Sequence, residues 1–133
     1  MMQFGVLLIW TLALTPAVAH HSVSGQWLAT DDKLFTVTGI LKSVEWTNPH
    51  VHFNVITRDA GGNEMTYSFE NFPPSFFRRY GVNKTEFKVG ETITIEAYPA
   101  RDGNKSIGFA KIIHFSDGKT LATMTAESAS TVR

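Results

Sequence analysis

The chain has 133 residues, 43% of them hydrophobic, which is the size and composition of one small globular domain rather than of a disordered protein. Its 12 basic and 12 acidic residues balance, so the chain lacks the electrostatic footprint of a nucleic-acid-binding protein. It contains no cysteine, which excludes disulfides, thiolate metal ligands and a cysteine nucleophile.

The first element in chain order is an apolar leader, Phe4–Leu14. It is too short to cross a bilayer as a helix and has about the length of the apolar region of a signal peptide. Pro16 and the small residues Ala17-Val18-Ala19 follow, a pattern that signal peptidase accepts. We therefore predict that residues 1–19 are a signal peptide cleaved after Ala19. The mature chain is then periplasmic or secreted and has no membrane span.

Beyond the leader, the dominant pattern is alternation of apolar and polar residues, which is typical of β-strands. Five strands are predicted, and Gly39 indicates a bulge or bend in the long first strand. A proline at its start and a glycine at its end predict a short helix over Pro73–Gly81. The predicted strands are Leu34–Trp46, His50–Arg58, Glu64–Glu70, Glu91–Tyr98 and Ser106–Phe115.

With the helix between the third and fourth strands, this order predicts an all-β fold with one short helix: a small, OB-fold-like, five-stranded β-barrel. The alternative is a small sandwich, and pairing of the first strand with the fourth distinguishes the barrel from it. We expect one domain over residues 20–121. The small, polar residues of the tail, 122–133, are expected to be disordered.

Two groups of residues, one on the third strand and one in the short helix, are interpreted as structural. Met65, Tyr67 and Phe69 alternate on the third strand and are expected in the core. Arg78 and Arg79 are expected on the outer face of the short helix, whose phenylalanines plug the barrel end. An anion or aromatic-ligand site at the two arginines is the alternative.

Five stretches of the mature chain resemble a known family. They are HHS directly after the leader, VEWTNPH at Val44–His50, FFRRYG at Phe76–Gly81, VGETITIEAYPARDG at Val89–Gly103, and the closing DGKTL. Together they resemble an exported bacterial family of unknown function, DUF6152, and WTNPH is the most specific part. The resemblance covers essentially the whole mature chain and implies a small exported β-rich domain with no established reaction.

The five histidines are the candidate metal ligands. If cleavage follows Ala19, His20 offers its amine and its imidazole to one ion, as in histidine-brace copper sites. Alternatively, His21 combines its imidazole with the terminal amine and an intervening amide, a chelate that Cu(II) favours. His20 and His21 match the family pattern, whereas His52 and His114 do not.

Two of these histidines lie on one predicted strand. His50 and His52 share a face about 6 to 7 Å apart, so their imidazoles can converge on one ion. Without thiolates, the nitrogen-rich set of His20, His21, His50 and His52 fits copper(II) best. The alternative is a solvated strand face with frayed terminal histidines. His114, alone on the last strand, is interpreted as a hydrogen-bonded structural histidine.

The string EWTNPH contains a second candidate site. Trp46, Asn48 and His50 combine a stacking surface, an amide and an imidazole at a strand end, which is a plausible ligand-recognition set. The alternative is that the string forms a rigid turn without a binding role, because Asn48 precedes Pro49.

No enzyme signature is visible, because the chain has no phosphate-cradling glycine loop, nucleophile elbow or helical zinc-protease string. We predict an exported binding protein whose partner is a metal ion, with copper as the cofactor held by histidines. The alternative is a non-catalytic OB-like module that binds a small molecule, a glycan or an envelope protein, and it predicts a concave, aromatic-lined barrel face. A copper-dependent oxidase is the least supported hypothesis.

Overall fold

Residues 23–124 are described by a computed structural model, and they form five barrel strands and a short sixth strand. The strands are β1 (Phe35–Trp46), β2 (Val51–Arg58), β3 (Glu64–Glu70), β4 (Thr92–Pro99), β5 (Ile107–Phe115) and β6 (Thr120–Ala122). The helices are α1 (Val23–Gln26) and α2 (Pro74–Arg79), with 3₁₀ turns at Asp31–Lys33 and Lys84–Glu86. No helix in this part of the chain is long and apolar enough to cross a membrane.

The five long strands close into a barrel. β1 is antiparallel to both β2 and β4, and β2 pairs with β3 while β4 pairs with β5. A parallel contact between β3 and β5, with Ser68 opposite Ile107, completes the ring. Since the first strand pairs with the fourth and α2 lies between β3 and β4, the predicted OB-fold-like barrel is confirmed and the sandwich is wrong.

One strand, β1, takes part in both halves of the barrel. Its residues 35–40 pair with β4, and its residues 40–46 pair with β2. At Gly39 a Cβ atom would lie 2.3 Å from the carbonyl oxygen of Ile56, so only glycine allows this approach. The register irregularity itself lies slightly further on, between Leu41 and Ser43.

Alternate residues of the strands fill the barrel, and α2 covers one end of it. Val51, Phe53 and Val55 of β2 are fully buried. Phe77 of α2 is 1% exposed, and its ring contacts that of Phe53 at a centroid distance of 6.1 Å. Arg78 and Arg79 are exposed on the outer side of α2, so the structural interpretation of these two arginines is confirmed.

The third strand differs in part from its expected burial. Phe69 is fully buried and Tyr67 is half-buried, but Met65 is 44% exposed, so its assignment to the core is wrong. The reason is that the hairpin of β2 and β3 extends beyond the barrel. There Met65 pairs with Thr57, and β5, which pairs with residues 68–70 of β3, does not reach it.

The sixth strand was not predicted. β6 pairs with β5, and Thr123, the residue after it, is 1% exposed. The last strand thus extends one residue past the predicted end of the domain at residue 121, because Ala122 belongs to β6, and Thr123 is buried. The remaining residues of that tail, 125–133, and the leader, 1–19, lie outside the described residues.

The segment that precedes β1 packs against the outside of the barrel. Trp27 is 3% exposed and forms a β-bridge with Ala100. It belongs to a second hydrophobic cluster that also contains Phe72, Tyr98, Ala100 and Phe109. Asp31 accepts hydrogen bonds from Tyr98 and Lys111, which join the 3₁₀ turn to β4 and β5.

Candidate functional site

The turn between β1 and β2 contains the predicted recognition set. The side chain of Trp46 packs into the covered end of the barrel, with its ring 5.1 Å from that of Phe77 and 5.9 Å from that of Phe87. Asn48 is exposed and is joined to Pro49 by a cis peptide bond. Trp46 is therefore partly buried, and its contacts with Phe77 and Phe87 take up part of its ring surface.

The strand histidines lie on the outer surface of the barrel, on either side of one carboxylate. Glu70 of β3 is the cross-strand neighbour of His52. Its carboxylate oxygens lie 3.4 Å from Nδ1 of His50 and 3.9 Å from Nε2 of His52. Nδ1 of His50 is also 3.1 Å from the carbonyl oxygen of Asn71. The two imidazoles thus flank Glu70, as the shared strand face predicts.

Glu70 was missed by the sequence reasoning, although a signal for it exists. The turn Asp59–Asn63 sets the hairpin register with Arg58 opposite Glu64. Counting away from the turn along both strands places His52 opposite Glu70. The hairpin register by itself therefore predicts that the carboxylate of Glu70 lies beside the two imidazoles.

The other histidines do not join this group among the described residues. His114 lies 2.7 Å from a carboxylate oxygen of Glu96 and 3.2 Å from the hydroxyl of Thr120, which fits its interpretation as a hydrogen-bonded histidine. His20 and His21 lie outside the described residues. Within residues 23–124, no group of three or more His, Cys, Asp or Glu side chains is arranged to hold a metal ion.

A cavity opens at the end of β1 opposite Trp46, where α2 does not cover the barrel. Its volume is about 490 Å³. Most of its lining is apolar, and Phe35 and Tyr67 supply two half-buried aromatic rings. The lining residues are Leu28, Phe35, Thr36, Val37, Tyr67, Pro99, Ala100, Gly103, Asn104, Lys105 and Ile107. We call this cavity the barrel mouth.

The walls of the barrel mouth are held by contacts among aromatic rings and a glycine. The rings of Phe35 and Tyr67 lie 6.0 and 6.1 Å from the ring of the buried Phe69. Phe35 also lies directly over Gly108, where a Cβ atom would be 2.9 Å from the phenyl ring. The two aromatic walls therefore rest on the packed core, which fixes the shape of the cavity.

The loop between β4 and β5 forms the polar edge of the barrel mouth. Oδ1 of Asp102 accepts from the backbone N–H of Asn104, and Oδ1 of Asn104 accepts from that of Ser106. Lys105 is the single charged residue in the lining. The sequence reasoning treated this loop only as a turn and did not find the cavity.

The comparisons with known proteins show a family and no individual relative. No curated protein and no solved structure is significantly similar to this chain. The model of a family of unknown function, DUF6152, matches residues 9–109. The match includes the turn Trp46–His50, the helix α2 and the loop at the edge of the barrel mouth. Because it spans more than half of the 133 residues, the chain belongs to the family of unknown function DUF6152.

Proposed function

We propose that this protein is an exported, non-catalytic binding module that holds a small, largely apolar molecule in the barrel mouth. The observation that carries the proposal is the apolar cavity of about 490 Å³ at the uncovered end of the barrel. Small-molecule sites have volumes of roughly 300–1,000 Å³, and the mouths of β-barrels are among their usual places. The aromatic walls, Phe35 and Tyr67, match the concave aromatic face that the alternative function predicted.

The experiment uses a chain that begins at His20 and a neutral apolar fluorophore, N-phenyl-1-naphthylamine. We expect saturable binding with one molecule per chain. In nuclear magnetic resonance spectra, the amide shifts should concentrate at the lining residues Gly103, Lys105 and Ile107. Absence of saturable binding, or shifts confined to the surface around Glu70, would contradict the proposal.

A matched pair of tyrosine variants tests the location further. Tyr67→Ala removes one aromatic wall, and we expect it to weaken probe binding about tenfold, which corresponds to about 1.4 kcal/mol. The control is Tyr80→Ala, because Tyr80 is 59% exposed and lies next to Phe76 of α2, away from the barrel mouth. Thermal unfolding curves of both variants establish that each one is folded.

A second candidate function, copper binding, is favoured by one specific observation. His50 and His52 flank the same carboxylate, that of Glu70. Because residues 23–124 contain no complete ligand group, a site here would need the terminal amine and imidazoles of His20 and His21. Val23, the first described residue, packs against the hydrophobic cluster that contains Phe72. In the sequence, Phe72 follows Asn71, whose carbonyl oxygen contacts His50.

The copper proposal is tested by Cu(II) titration with calorimetry and electron paramagnetic resonance. A chain that begins at His20 is compared with one that carries one extra N-terminal residue, and with His52→Gln. We expect one tight equivalent that is lost on extension and weakened by His52→Gln, while the control His114→Gln leaves it unchanged. Weak binding that is the same in all four proteins would contradict copper binding without affecting the apolar-ligand proposal.

A further inference from the structure

The lining of the barrel mouth contains one charged side chain, that of Lys105. Of the eleven described residues that line it, Lys105 is the only charged one, and no carboxylate is among these eleven. The nearest acidic residue in the loop sequence, Asp102, directs a carboxylate oxygen to the backbone N–H of Asn104. Lys105 therefore supplies the one formal charge of the described lining, and that charge is positive.

Lys105 differs from the lysines that form ion pairs with acidic side chains. Ion pairs with carboxylates are formed by Lys33, Lys88, Lys111 and Lys119. Within residues 23–124, Lys105 has no carboxylate within ion-pair distance, and its side chain is exposed. The Lys105 ammonium is therefore available to a ligand at no cost of breaking an internal ion pair.

The position of Lys105 limits where a ligand can carry its charge. A charged group buried among the apolar walls would lose its hydration without a partner, which is strongly unfavourable. At the edge the same group keeps contact with water and can accept charge-assisted hydrogen bonds from the ammonium. The aliphatic stem of a lysine can meanwhile cover part of an apolar body.

We infer that the ligand of the barrel mouth is an amphipathic carboxylate, with its apolar body between Phe35 and Tyr67 and its carboxylate beside Lys105. This inference rests on the proposed function and adds the charge and orientation of the ligand. Because the ion pair lies at an exposed edge, its contribution is modest, and a preference of about two- to fivefold over a neutral analogue is expected.

The test compares three probes that share one apolar body: 2-naphthoate, 2-naphthylmethanol and 2-naphthylmethylammonium. We expect the carboxylate to bind most tightly and the ammonium most weakly, and we expect added salt to reduce the difference. Lys105→Gln should remove the advantage of the carboxylate while the alcohol binds as before. Lys105→Glu should invert the order of the two charged probes. Lys42→Gln, a change of an exposed lysine on β1 outside the cavity lining, is the control and should retain the original order.

The outcomes separate this inference from the function on which it rests. If the alcohol binds as tightly as the carboxylate, or if Lys105→Glu leaves the order unchanged, the inference is wrong and the apolar-ligand proposal stands. If none of the three probes binds, and N-phenyl-1-naphthylamine does not bind either, both are wrong. A carboxylate preference that persists in Lys105→Gln also overturns the assignment of its partner.

Discussion

The backbone at Gly39 closely approaches the neighbouring strand β2. A Cβ atom there would lie 2.3 Å from the carbonyl oxygen of Ile56 and 2.8 Å from Cγ1 of Val55. The first of these atoms belongs to the backbone of β2, so it cannot move aside as the end of a flexible side chain can. The close approach of β1 to β2 therefore depends on the absence of a side chain at this position.

At this scale we predict the effect of Gly39→Ala. The added methyl group has to displace β2, and we expect the free energy of unfolding to fall by about 1–3 kcal/mol, as in other overpacked sites. Urea denaturation measures the change. The control is Gly61→Ala in the exposed hairpin turn, where the nearest atoms are side-chain ends at 3.3 Å. Equal losses in the two variants would show that the close crossing is not the cause.

At the scale of elements, the last strand is attached to the barrel through buried polar groups. Oγ1 of Thr123 donates to the carbonyl oxygen of Ala110 at 2.7 Å and accepts from Nδ2 of Asn71 at 3.0 Å. Asn71 and Thr123 are 0% and 1% exposed, and Nδ2 of Asn71 also donates to Ala110. This network joins the end of β3, the middle of β5 and the residue that follows β6.

We predict that Thr123→Val weakens this attachment. The substitution keeps the shape of the side chain but leaves the amide of Asn71 and the carbonyl of Ala110 each with one partner fewer. We expect a loss of about 1–3 kcal/mol in the free energy of unfolding and faster amide exchange in β6. The control is Thr92→Val, because Thr92 is exposed at the start of β4. Unchanged exchange in β6 would argue against the network as its anchor.

At the scale of the whole molecule, one carboxylate adds hydrogen bonds between the segment before β1 and the barrel. The hydrogen bond from Lys111, and then that from Tyr98, lowers the pKa of Asp31 below its ordinary value of 3.8. A carboxyl whose pKa is lower in the folded state stabilises the fold above its unfolded pKa. This contribution is lost as the pH falls through the folded pKa.

We therefore predict a pH-dependent effect of Asp31→Asn. The variant should be less stable than the original chain at neutral pH, and the difference should shrink as the pH falls below 3.8, because the original carboxyl then becomes neutral as well. Melting temperatures measured from about pH 7 to about pH 2 check this expectation. The control is Glu86→Gln, which removes the charge of an exposed carboxyl in the 3₁₀ turn Lys84–Glu86. A difference that is constant with pH would contradict the role of the charge.

Much of the fold could be predicted because it depends on neighbouring residues. Alternation along β1, β2 and β3 reflects the side-chain period of an extended backbone, and the predicted limits of these strands differ from the observed ones by at most one residue. Asp59–Asn63 indicates its hairpin through turn chemistry that is equally local. The same argument reached the outward direction of His50 and His52, since Val51 between them and Phe53 after them are apolar.

The remainder depended on contacts between residues that are far apart in the sequence. The burial of Trp46 against Phe77 depends on which barrel end α2 covers, and the barrel mouth exists at the other end because Phe35, Tyr67 and Ile107 meet only when the ring of strands closes. The sequence by itself determined the strands and the face of the histidines, because these follow from local backbone geometry. Only the tertiary structure decided that an open cavity with an unpaired lysine at its edge remains, because closure and capping of a barrel are long-range packing events.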